Sequence, residues 1–133
     1  MQNIKLNDGN SIPAIGFGVF LVEPNGPTYE AVKKAVQAGY RHIDTAAAYF
    51  NEEDVGKAVR DSGVSREEMF ITSKLWLQDY GYEAAKNGID ASLQKLGMDY
   101  MDLYLLHQPT AMWQARGERW RKQKPRAKSS PSA

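Results

Sequence analysis

The sequence predicts an α/β fold: a parallel sheet made of successive strand–helix units, preceded by a β-hairpin. Three observations lead there. Short apolar runs alternate with longer stretches whose apolar residues recur at three and four positions. The strand-like runs end near residues 20, 46, 75 and 107, about 26–32 residues apart, which suits βα units. Helical stretches separate the runs, and that order implies parallel pairing through right-handed crossovers.

Ile4–Leu6 and Ser11–Pro13 flank Asn7-Asp8-Gly9-Asn10. An Asp-Gly pair favours a hairpin because Gly tolerates positive φ. Ile15–Phe20 reads as the first parallel strand. Pro27 suits a first helical turn, where its missing N–H costs nothing. Ala31, Val32, Ala35 and Val36 give that helix an apolar face, and Gly39 ends it. His42–Ala46 is the second strand, and Asn51 is placed to cap a helix carrying Val55, Ala58 and Val59. Ser65-Arg66-Glu67-Glu68 has capping-box form, but the strand that follows, Met69–Leu75, leaves room only for a turn. Tyr82–Leu96 is a long helix with Ala85, Ile89, Leu93 and Leu96 as its buried stripe, stopped by Gly97. Tyr100–His107 is the fourth strand.

A doubly wound sheet and a (β/α)8 barrel share this order. Gly16-Phe17-Gly18 continues as Val19-Phe20-Leu21, so the G-x-G-x-x-G loop of the first class is missing, and the barrel gains. The chain has 133 residues. A complete barrel has about 250. The expectation is therefore a hairpin plus the first four βα units of a truncated (β/α)8 barrel. A hydrophobic content of 42% and a net charge of +1 exclude a disordered chain. No apolar run reaches the roughly 20 residues of a membrane span. The opening residues lack a secretory h-region and there is no cysteine, so the reading is cytoplasmic, without disulfides or cysteine-based zinc sites. His42 and His107 are the only histidines, and no metal site is expected.

The net charge averages two unlike pieces. Residues 1–109 hold ten Lys plus Arg against fifteen Asp plus Glu, a net of −5. Residues 110–133 hold seven basic residues and only Glu118 as an acid, a net of +6. That second piece has Trp113 and Trp120 but no Val, Ile, Leu or Phe, so it cannot build a core. It reads as a disordered or out-of-frame tail behind a domain of residues 1–109. A basic segment that contacts nucleic acid or anionic lipid is the competing reading. Gly117 and Pro125 argue against an amphipathic helix there.

Barrels gather their chemistry at the C-terminal ends of strands. Asp44 lies late in the second strand, Tyr49 in the loop after it, Lys74 at the end of the third, and His107 closes the fourth. Singly, each has a plain structural explanation: a packing tyrosine, a solvated lysine, a satisfied histidine, a loop-capping aspartate. Together, at the ends of three successive strands, they point to chemistry. A phenol with a pKa of ~10 is a poor acid at pH 7. A neighbouring ammonium stabilises the phenolate and lowers that pKa. A carboxylate keeps the ammonium charged and in place, and a His N–H can orient a carbonyl oxygen. Such a set delivers a proton to an oxygen that becomes negative as hydride reaches its carbon.

At these residues the sequence resembles the aldo-keto reductase family. Gly39-Tyr40-Arg41-His42-Ile43-Asp44-Thr45-Ala46, followed by Glu52 and Val55-Gly56, matches a family signature. Ile71–Trp76 resembles its lysine strand, and Ser92–Pro109 the stretch around its histidine. Gln108 after His107 is similar to the bacterial and fungal branch that includes diketogluconate reductases. The resemblance covers residues 3–109 and implies a barrel that reduces aldehydes or ketones with NADPH. It implies Tyr49 as general acid, Lys74 easing its proton loss, Asp44 pairing with Lys74, and His107 orienting the substrate carbonyl. Gly18, Val19 and Asp44 would lie near the nicotinamide, and Phe20 and Trp76 would wall an apolar substrate pocket beside His107.

The family's cofactor phosphates are gripped mainly from the later half of the barrel, so weak activity is expected of this chain alone. Four strands cannot close a barrel, and the open strand edge suggests association with another barrel half or a second copy. Two other functions stand as alternatives. One is a non-catalytic half-barrel that serves as an assembly or regulatory partner. The other is a nucleic-acid or membrane-surface binder acting through the tail.

Overall fold

The computed structural model describes residues 2–76 and 81–108. The tail assigned to residues 110–133 lies outside them. A two-stranded hairpin, β1 (Asn3–Lys5) and β2 (Ser11–Pro13), comes first. Its turn is held by Leu6 N–H donating to Asn10 O (2.7 Å) and by the Asp8 carboxylate accepting from the Asn10 backbone (2.9 Å). Gly9 takes φ 90° there, as the Asp-Gly pair predicts.

Four parallel strands follow: β3 (Phe17–Gly18), β4 (His42–Asp44), β5 (Phe70–Leu75) and β6 (Leu103–Leu106). They are joined by α1 (Pro27–Gln37), α2 (Glu52–Asp61) and α3 (Tyr82–Leu96). Their order in the sheet is β3-β4-β5-β6, identical to their order in the chain. A doubly wound sheet reverses direction at a switch point; this one does not. With right-handed crossovers, an unreversed order puts every helix on one face, as in an arc of a barrel.

Strand alternation then sorts the side chains. Ile43, Ile71 and Leu75 face the helices and are buried, packed with Val32, Val36, Val55, Val59, Ile89 and Leu96 or beside them. Asp44, Thr72, Lys74, Leu105 and His107 fall on the other face, since Asp44 is registered with Thr72 and Lys74 with Leu105. That inner face is incompletely covered: Leu105 is 40% exposed.

Three strands are shorter than their apolar runs. β3 stops at Gly18 because Val22 N–H turns back onto Val19 O (3.2 Å) and Leu21 adopts φ 64°. β4 stops at Asp44 because Tyr49 N–H turns back onto Ala46 O (3.0 Å), closing a 3₁₀ turn over Ala47–Tyr49. β6 begins only at Leu103; before it, Arg66 spans to Asp102 (2.7 Å) and stacks over the Tyr100 ring (4.0 Å).

One expected cap is absent. Asn51 precedes α2 but makes no side-chain cap, because its amide is drawn into the core by stronger demands described below. The Ser65 side chain caps nothing, and Arg66–Glu68 forms only the short turn that the spacing allowed. The N-terminus of α1 is capped from a distance instead. The Asp54 carboxylate, on α2, accepts from Gly26 N–H (3.0 Å) and Tyr29 N–H (3.2 Å). An anion at a helix N-terminus is favoured by the exposed N–H groups. Gly97 ends α3 at φ 66°, and Arg60 of α2 donates to the last carbonyl of the helix, Leu96 O (2.7 Å). No helix among the described residues is long and apolar enough to cross a membrane.

Candidate active site

The C-terminal ends of the four strands meet in a cleft of about 570 Å³. Phe20, Ala47, Tyr49, Phe50, Trp76 and His107 wall it, and Lys95 and Gln108 also border it. Each candidate chemical group arrives on its own strand or on the loop after it.

Lys74 is the penultimate residue of β5, and strand alternation turns its side chain to the inner face. Its ammonium forms an ion pair with Asp44 across the β4–β5 pair and donates to Thr45 O (3.0 Å). The lysine side chain is only 14% exposed, so the charge is held by these two acceptors rather than by water. The same ammonium lies 5.2 Å from the centre of the Tyr49 ring. Tyr49 also meets His107 edge-to-face, with ring centres 5.6 Å apart at 81°. Asp44, Lys74, Tyr49 and His107 therefore form one contiguous cluster, as the sequence pattern suggested.

His107 continues the β6 register, its N–H donating to Leu75 O (3.1 Å). Burial holds its imidazole below the ordinary value near 6.5. The Lys74 charge pushes the same way, and Asp44 opposes both. The ring is consequently neutral near pH 7. Its Nδ1 is buried and has no hydrogen-bond partner among the described residues, an unusual state for a buried nitrogen. His42 has a different role. It lies two residues before Asp44, bonds Thr72 Oγ1 (2.9 Å) and packs on Phe70.

Phe20 packs against Tyr49 at a tilt of 47° with ring centres 5.2 Å apart, and Trp76 meets His107 edge-on at 5.2 Å. Both expected wall residues are thus at the cleft. Gly18 is registered beside Asp44, and a side chain there would project into open space. Val19 is different: it is fully buried in the core, with N–H on Asp44 O (3.1 Å) and C=O on Asn51 Nδ2 (3.0 Å). It supports the rim from beneath and presents no surface to a ligand.

The sequence pattern missed three contributors. Thr45 supplies the second acceptor for Lys74. Asn51 is 1% exposed and ties the rim loops together. It accepts from Thr45 Oγ1 (2.7 Å) and donates to Val19 O (3.0 Å) and Val22 O (3.1 Å). Buried polar groups must be paired, and this demand outweighs a solvent-facing cap. Phe50 lines the cleft one residue after Tyr49, the one clue to it that the sequence offers. Among the described residues no group of three or more His, Asp or Glu is arranged to hold a metal ion.

Comparison with known proteins gives this geometry its context. The family model described as the aldo/keto reductase family matches residues 15–121, which extends twelve residues past Pro109. An aldo-keto reductase of Mycolicibacterium smegmatis is 58% identical over 106 residues, 80% of this chain and 38% of that protein. The glyoxal reductase of Bacillus subtilis is 51% identical over 108 residues, 81% of this chain and 39% of its own length. The crystal structure of an aldo/keto reductase from Brucella melitensis superposes with a TM-score of 0.80 at 47% identity, covering 91% of this chain and 48% of that one. The chain spans about two fifths of the length of these curated relatives. The chain belongs to the aldo/keto reductase family.

Proposed function

We propose that this chain carries the proton-donating centre of an NADPH-dependent reductase of aldehydes and ketones. One observation carries the proposal: the Lys74 ammonium, anchored on Asp44, stands over the Tyr49 ring, and the same ring meets His107 edge-to-face.

In this reading the substrate carbonyl oxygen sits between the Tyr49 hydroxyl and His107. His107 is held toward its neutral form, and its Nδ1 meets no acceptor among the described residues, so the ring proton is best carried on Nε2 and offered to the carbonyl oxygen. Tyr49 releases its proton to that oxygen as negative charge develops there. Lys74 stabilises the phenolate left behind, and Asp44 keeps Lys74 charged and fixed. Phe20 and Trp76 exclude water around the reacting carbon. A reduced nicotinamide, when bound, supplies the hydride. The chain's residues fit such a flat group: Gly18 leaves open space beside Asp44. The overall change is one hydride and one proton added to a C=O to give an alcohol.

The relatives' names support this reading, since they include a glyoxal reductase and an aldehyde reductase. The test is NADPH consumption, followed at 340 nm, across a panel of aldehydes. Turnover that Tyr49→Phe removes supports the assignment, and turnover unchanged in Tyr49→Phe overturns it. We also propose that the sheet edges at β3 and β6, unpaired among the described residues, lead the chain to associate with a second copy or another barrel half.

A further inference from the structure

Among the described residues, three that are not glycine have positive φ: Leu21 (64°), Asn25 (65°) and Phe50 (58°). Asn is commonly found in this left-handed region, because its short polar side chain tolerates it. A leucine and a phenylalanine there are outliers. Burial does not offset the strain, because Leu21 is 82% exposed and Phe50 is 78% exposed. A glycine would satisfy either backbone without strain. Strain retained at an exposed position invites a functional explanation.

The two outliers differ in where they stand. Phe50 follows Tyr49 and lines the cleft with Phe20 and Trp76. Leu21 lies in the loop after β3 and does not line it. We propose that Phe50 is a specificity-determining residue: its ring is the outer wall of the cleft and contacts the part of the substrate remote from the carbonyl. Aromatic walls favour flat apolar partners through offset and edge-on contacts. The preferred class is therefore an aryl or conjugated carbonyl compound over a short aliphatic aldehyde. This inference rests on the carbonyl-reducing role proposed above.

The experiment compares the full chain with Phe50→Gly and Leu21→Gly. Three quantities are measured: the melting midpoint, the ratio of kcat/KM for 2-naphthaldehyde to that for propanal, and calorimetric binding of 2-naphthaldehyde without cofactor. Both glycine variants melt no lower than the parent, because each relieves a strained backbone. Phe50→Gly loses about tenfold in the ratio and in naphthaldehyde binding, the size expected of one aromatic wall. Leu21→Gly loses neither. Unchanged binding in Phe50→Gly, a lowered melting midpoint in that variant, or no binding by the parent overturns the proposal. If no NADPH is consumed while naphthaldehyde binding still depends on Phe50, the reductase reading fails and the wall stands.

Discussion

Lys74 and Asp44 are joined across adjacent strands. Lys74 comes from β5 and Asp44 from β4, and their ion pair sets the ammonium 5.2 Å from the centre of the Tyr49 ring. In the proposed mechanism Asp44 is a positioning group, and removing its charge is expected to loosen the hold on Lys74. Asp44→Asn keeps the shape of the pair and removes its charge–charge attraction. The expected outcome is a loss of roughly ten- to a hundredfold in kcat with a smaller change in KM. Steady-state kinetics on aldehyde and NADPH check it.

Stability follows pH in a direction set by the two histidines. Burial is the first cause that holds both His42 and His107 below their ordinary value of 6.5. The unfolded chain takes up protons near pH 6.5 that the folded chain refuses. The contribution is therefore fully present above that pH and is lost as pH falls below it. Thermal melting at pH 7.5 and pH 5.5 should show the lower midpoint at pH 5.5. His107→Gln should shrink that difference.

Gly56 marks the closest approach of α2 to α3. A methyl group there would lie 1.9 Å from Leu96 O, a backbone atom that cannot swing away. Gly56→Ala should cost about 3 kcal/mol or more, at or beyond the upper end of overpacking effects. Chemical denaturation reads the loss directly. An intact melting curve at the parent's midpoint would show that the helices can separate freely.

The sheet ends at β3 on one side and β6 on the other among the described residues, and both edges are open for pairing. Leu105 on the inner face is 40% exposed. The chain should therefore elute from size-exclusion chromatography with light scattering as a concentration-dependent oligomer. A compact monomer that melts cooperatively contradicts this.

The fold was readable where one physical signal dominated. Period-3.6 apolar stripes located α1, α2 and α3, and Gly97 marked the end of α3 through its left-handed backbone. The spacing of Asp44, Tyr49, Lys74 and His107 exposed the cluster because strand ends converge in a barrel. Strand ends were overextended, since apolar runs record burial while backbone hydrogen bonds such as Val22 to Val19 decide where pairing stops. Asn51 looked like a cap because local sequence does not show that Val19 O and Val22 O, about thirty residues away, compete for its amide. Phe50 left only its place next to Tyr49 as a clue, because its distinguishing features are its backbone angle and its exposure.

The most direct measurement is a double-variant cycle on kcat/KM with Tyr49→Phe, Lys74→Met and the two combined. If Lys74 acts through the Tyr49 hydroxyl, each single variant falls by roughly 10²–10⁴ and the pair falls no further than Tyr49→Phe alone. Losses that multiply in the double variant would show that the lysine works independently of the phenol and would contradict the mechanism.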